Sequence, residues 1–301
     1  MALIEKGTAV KRKYSGITLI EILMVAGIIV VLAGLLIPAM TFVRKTANVT
    51  KQRAELNTIE LAITTFKNDD GDYPPSLGTC PVNTADYSGA QILAEALCGW
   101  DLLGFHPDSR WRSDGRDCGG GSPGIYRRPL DPANNAQDRQ NLQERRGPYL
   151  DMANISVFKL DQLFGTVSSL EGNTYVLCDV FGVRNLQSGN RRVLAGTPIL
   201  YYKANPASKD PNISTTYSDR IYDVEDNRYL VALNKLTPSG SVGDAHRLGY
   251  NANNYKNFYD FISDTRGAIP WSYNPESYIL ISAGPDGEYG TRDDICNFPT
   301  P

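Results

Sequence analysis

Residues 17–40, ITLIEILMVAGIIVVLAGLLIPAM, make a run of 24 positions with a single charge. At about 1.5 Å per residue, a helix of that length covers a hydrocarbon core about 30 Å thick. A secretory signal has a shorter apolar core and a small-residue exit site, and the run has neither. Everything after Asn68 is polar and rich in Gly and Tyr. The chain therefore reads as an apolar anchor joined to one large water-soluble head, long enough to bury a core of its own.

The single charge is Glu21. A carboxylate inside an apolar span costs on the order of 2.5–3.5 kcal/mol and normally has a partner. Glu21 follows Ile17 by four residues. A cut before Ile17 would place a new α-amino group one helical turn away, within reach of Glu21 in the same or a neighbouring subunit. Four basic residues precede the run, and Arg44, Lys45, Lys51 and Arg53 follow it, so charge alone leaves its orientation undecided.

The stretch KRKYSGITLIEILMVAGIIVVLAGLLIP resembles the cleavage signal of type IV pilins and type II secretion pseudopilins. Lys11, Arg12, Lys13, Gly16, Thr18, Leu19, Ile20 and Glu21 match that pattern, and Ile17 stands where the family most often has Phe. Pro38, the twenty-second residue after the expected cut, falls where the family commonly has a helix-loosening proline. The resemblance implies a leader, residues 1–16, removed between Gly16 and Ile17, and methylation of the new terminus. It implies assembly into a filament with other pilin-like subunits through the membrane helix 17–40, with Glu21 and Pro38 in assembly roles. The partners it implies are a prepilin peptidase, an inner-membrane assembly platform and further copies of the chain. The location it implies is the bacterial inner membrane, crossed once, with the head in the periplasm, or outside the cell in a surface filament.

Beyond Pro38 the pattern becomes amphipathic. Val43, Ala47, Leu56, Ile59, Ile63 and Phe66 approximate one stripe, between Lys51, Arg53, Glu55 and Glu60. This predicts a continuous helix to about Lys67, with residues 41–67 lying against the head. Gly71 and Pro74-Pro75 then end it. Helices are expected around 91–97 and 158–164, and strands at 175–181, 198–202, 228–233 and 278–282. The fold class expected is α+β: a long N-terminal helix packed on an antiparallel sheet, pilin-like, with an enlarged loop-rich head over residues 68–301.

The C-terminal segment SYILISAGPDGEYGTRDDICNF sets a strand before a loop that carries Asp286, Glu288, Asp293 and Asp294 among glycines. Clustered carboxylates repel unless a cation or donors compensate them, and Ca²⁺ takes six to eight oxygens. The loop is similar to the C-terminal loop of major pseudopilins, matched at Ser282, Gly284, Asp286, Gly287, Gly290, Thr291, Asp293, Asp294 and Ile295. That resemblance implies a calcium loop over residues 282–295, with Asp286, Asp293 and Asp294 as ligands and backbone carbonyls near Ala283 and Thr291 completing the shell. Glu288 is not expected to ligate.

Residues 68–301 hold 21 Lys and Arg against 29 Asp and Glu, so the totals do not indicate a nucleic-acid face. Five cysteines lie beyond the anchor without C-x-x-C spacing. In an oxidising compartment a Cys80–Cys98 disulfide is the first expectation. His106 and His246 have no metal or triad spacing, and G-x-S-x-G is absent, so an enzyme is not expected. The function expected is that of a structural subunit of a pseudopilus or pilus-like filament supporting protein secretion. The alternative is a minor or tip pilin whose enlarged head binds a substrate, DNA or a surface.

Overall fold

The computed structural model describes residues 16, 18–78, 80, 85–118, 124–126, 130–153, 155–167, 169–188, 191–208, 220–238, 243–248 and 256–300. The chain divides into two compact units, residues 1–47 and 48–301. Helix α1, Leu19–Asp70, runs from one into the other.

In the first unit, α1 carries the apolar stretch, and among the described residues it is the one helix long and apolar enough to cross a membrane. Its large apolar side chains from Leu19 to Val43 are exposed, between 54% and 81%. Thr18 and Glu21 close the start of the helix as a capping box. The Thr18 amide donates to Glu21 Oε2 at 2.8 Å, and the Glu21 amide donates to Thr18 Oγ1 at 3.3 Å.

In the second unit, α1 continues to Asp70, three residues past the expected end. Gly71 (φ +92°) then donates its amide to the Lys67 carbonyl, and two prolines follow. Leu56, Ile59, Ile63 and Phe66 of the expected stripe are buried and Ala62 joins them, whereas Val43 and Ala47 are exposed, since they fall in the first unit with the apolar stretch. Glu55 departs from its expected place on the polar face. It is buried beside Gln52, and the close pair it forms is with Lys51, at 3.8 Å. Helix α2, Gly89–Cys98, starts from a Ser88/Gln91 capping box and is buried along its whole length. Helix α3, Ala136–Glu144, follows after a loop-rich stretch.

Strand β1, Ser156–Lys159, leads directly into the short helix α4, Leu160–Phe164, and pairs antiparallel with β2, Tyr175–Cys178. The helix expected over 158–164 therefore begins as strand. A hairpin follows, β3, Arg184–Ser188, with β4, Arg191–Ala195. Strand β5, Leu200–Lys203, pairs with a later strand and precedes helix α5, Arg228–Val231. The strand expected over 228–233 is thus a helix. It extends a 3₁₀ turn, Val224–Asn227, that the Asp223 side chain caps by accepting the Glu225 amide, and the Ala232 amide bonds back to Arg228. Local capping wins there over the β propensity of Tyr, Leu and Val.

Helix α6, Lys256–Phe261, and a small hairpin, β6, Ser263–Asp264, with β7, Trp271–Ser272, precede β8, Tyr278–Ser282. Strand β8 lies between β5 and β9, Ile295–Cys296, both antiparallel to it. Every residue of β8 is buried because the sheet has a core on each face. Tyr201 and Leu280 face the cluster built on α1 and α2. Leu200, Tyr202, Ile279 and Ile281 face a second cluster that includes residues of α4, α5 and α6. The fold is α+β, with small antiparallel sheets.

Cys80 is bonded to Cys118, not to Cys98. Cys98 points into the α1–α2 core as a free thiol, because helix α2 turns that position inward. Cys178 and Cys296 are free as well.

Candidate metal centre

The β8–β9 pairing closes residues 283–294 into one loop, since Ser282 opposes Ile295 and Ile281 opposes Cys296. This brings Asp286, near the loop's start, back to Asp293 and Asp294 at its end. One carboxylate oxygen from each of the three lies within 4.8 Å of the others. The two sides of the loop approach so closely that a Cβ on Gly284 (φ +65°) would stand 2.1 Å from the Asp293 carbonyl oxygen, so only glycine fits.

Asp294 is 4% exposed, Asp293 half-buried and Asp286 exposed. Asp294 Oδ2 accepts the Gly290 amide at 2.7 Å, and Asp294 Oδ1 accepts the Thr291 amide at 3.3 Å. The Thr291 hydroxyl sits 2.6 Å from Asp293 Oδ1 and 3.0 Å from Asp294 Oδ1. Asp286 Oδ1 accepts the Glu288 amide at 2.8 Å. Burial pushes the Asp294 carboxyl up to about 7; the Gly290 and Thr291 donors oppose this, and the charge of Asp286 adds to it. Asp286 is raised too, by burial first and by Asp293 second. Three carboxylates this close are relieved by protons or by a hard cation, and an all-oxygen donor set suits Ca²⁺.

Glu288 is committed elsewhere. It pairs with Lys235 at 3.4 Å and with Arg247 at 3.2 Å. Ala283 is fully buried, and the Thr291 carbonyl accepts the Asp294 amide at 3.4 Å. The sequence reading assigned Thr291 through its carbonyl, whereas its hydroxyl is the group between the two aspartates. A threonine two and three residues before paired aspartates is the signal that could have revealed this.

Of the two residues flanking the expected cut, Gly16 is exposed with open space about it, and Ile17 lies outside the described residues. The Glu21 carboxylate is held by the Thr18 amide and hydroxyl, each at 2.8 Å. Thr-x-x-Glu is itself a helix-start signature, a reading that the four-residue spacing to Ile17 overshadowed. Pro38 lies within α1, whose helix is continuous through it. His246 Nδ1 accepts the Tyr289 amide and His106 Nδ1 accepts the Asp108 amide, each imidazole thereby fixing a neighbouring turn. No family model, curated protein or solved structure matches the chain.

Proposed function

We propose that the chain is a structural subunit of a pseudopilus or type IV pilus-like filament that supports protein secretion. It is cut between Gly16 and Ile17 and polymerises through α1. The observation that carries this reading is α1 itself: an apolar stretch whose described side chains are exposed and whose one charge, Glu21, lies at its start. Such a surface needs lipid before assembly and other helices of its kind afterwards. In the uncut chain the Thr18 cap satisfies Glu21. The cut supplies a terminal amine as a new partner, in the same subunit or the next. The prepilin peptidase, an inner-membrane assembly platform and other pilin-like subunits are its partners, and the inner membrane is its site before assembly, with residues 48–301 on the periplasmic side.

Mass spectrometry of the protein purified from a bacterium carrying a prepilin peptidase tests this. A chain beginning at methylated Ile17 is the expected result, and an unprocessed chain or one cut far from Gly16 refutes it. Glu21→Ala is expected to leave that cut intact and to abolish recovery of sheared filaments.

In this reading Ca²⁺ is held by Asp286, Asp293 and Asp294, with backbone carbonyls near Ala283 and Thr291. Free Ca²⁺ at about 100 times its dissociation constant stabilises the folded state by about 2.7 kcal/mol. Thermal melting with Ca²⁺ and with chelator is expected to show the shift in the wild type and to lose most of it in Asp294→Asn. Equal melting temperatures for the wild type under both conditions would remove the metal from the proposal.

A further inference from the structure

Beside the contacts of Glu288 and Tyr289, the β8–β9 loop meets the rest of its unit at one buried carboxyl group that belongs to neither strand. Asp179, 1% exposed, follows β2. Its Oδ1 accepts the amides of Phe181 and Thr197, both at 3.1 Å, and its own amide donates to the Thr197 carbonyl at 2.9 Å. Its other oxygen, Oδ2, accepts the hydroxyl of Ser282 at 3.4 Å. The Ser282 oxygen in turn accepts the amide of Gly284, also at 3.4 Å, so Asp179 sets the first turn of the loop. The adjoining Val180 amide donates to Gln52 Oε1 at 2.9 Å, which ties the same segment to α1.

A second contact reaches the loop from the same place. Thr197, fixed by Asp179, packs against Gly287: a Cβ there would lie 3.5 Å from Thr197 Oγ1. That hydroxyl is buried and has no hydrogen-bond partner. A buried hydroxyl without a partner costs stability unless a ligand or water completes it, and this one faces the residue beside Asp286.

We infer that Asp179 is the positioning residue of the cation loop, acting through Ser282 at the loop's entry and Thr197 beneath Gly287, and that it fixes the loop relative to the α1 turn at Gln52. The inference rests on the cation reading of the loop. Burial pushes the Asp179 carboxyl well above the usual carboxylate range, yet in either protonation state its Oδ1 accepts two amides and its Oδ2 faces Ser282 Oγ, which keeps a lone pair for the Gly284 amide. An Asn at position 179 replaces one acceptor oxygen of this connection by a donor, and Ser282→Ala removes the hydroxyl that joins Asp179 to the Gly284 amide. Outer partners of this kind typically govern 10–100-fold in metal affinity.

The experiment is calorimetric titration of Ca²⁺ into the full chain in detergent, for wild type, Asp179→Asn and Ser282→Ala. Apo melting temperature and circular dichroism are recorded in parallel. Both variants are expected to bind 10–100-fold more weakly while retaining wild-type dichroism. A purely architectural role would lower the apo melting temperature and leave the dissociation constant unchanged. Wild-type binding with both variants within about 2-fold overturns the positioning role and leaves the cation reading standing. Absence of wild-type binding overturns both. If Asp179→Asn does not fold, Ser282→Ala alone decides, because it keeps every backbone bond that Asp179 makes.

Discussion

Phe66→Ala is expected to destabilise the larger unit by about 3–5 kcal/mol, among the greatest costs of any single truncation in the chain. Phe66 is 1% exposed and stands where α1 meets the loop-rich stretch between α2 and β1. Its ring packs edge-on against Phe105 at 5.1 Å and Tyr149 at 5.8 Å, and tilted against Trp111 at 6.3 Å. Phe105 and Trp111 are themselves stacked at 5.0 Å, so they cannot collapse into the space without giving up that contact. The cost therefore includes the cavity as well as the lost transfer energy, and each aromatic pair adds roughly 0.5–1.5 kcal/mol. Leu61→Ala is the control: on the same helix, 68% exposed, it is expected to change stability by less than about 0.5 kcal/mol. Urea titration of the detergent-solubilised chain, followed by tryptophan fluorescence, measures both. Equal effects at the two positions would mean that residues 48–70 do not pack as described.

Stability is expected to fall as pH rises from about 4.5 to 7, and Glu95→Gln is expected to remove a large part of that fall. Glu95 lies inside α2 and is fully buried. Burial raises its carboxyl from 4.5 to about 7; donors from Ser109, Tyr87 and Tyr126 oppose this, and the charge of Asp101 adds to it. Its folded value lies above its unfolded one, so the folded state holds a proton that the unfolded state has released. The contribution is complete below about pH 4.5 and is lost as pH rises to about 7. At about 1.4 kcal/mol per unit this amounts to about 3 kcal/mol, or roughly 6–12 °C for a unit of this size. Asp226, raised by burial to about 8, adds a loss of the same sign, so the wild type should remain pH-dependent when Glu95 is neutralised. The informative quantity is the difference between Glu95→Gln and wild type, which should grow from pH 5 to pH 8. A constant difference would show that Glu95 does not hold its proton.

Neither effect follows from the sequence in the same way. Phe66 was legible, because a 3.6-residue stripe from Leu56 through Ile59 and Ile63 leads straight to it. Glu95 was not. In a linear reading it sits within an apolar helix as a tolerated polar residue, and its three hydroxyl donors come from positions 87, 109 and 126, a set no local spacing encodes. Glu55 failed for a related reason. It lies one residue from the stripe, and its burial is a tertiary outcome, next to Gln52, which accepts the Val180 amide from a distant segment. Four of the tyrosines that mark the head by composition, Tyr201, Tyr202, Tyr222 and Tyr289, are core residues. Composition reports that a side chain is large and amphipathic, but not which end the fold leaves in water.

Short-range information accounts for most of what the sequence by itself determined. The apolar run with its lone Glu21, the amphipathic continuation, the stop at Gly71, the strand 278–282 and the acidic glycine loop after it all depend on residues within a few positions of one another. Tertiary structure decided the rest: that Cys80 pairs with Cys118, that Cys98 is core, and that Asp179, from a distant segment, holds the loop. Those outcomes depend on which segments meet. A turned-in thiol or a buried carboxylate acquires its role only from partners that the folded chain brings to it.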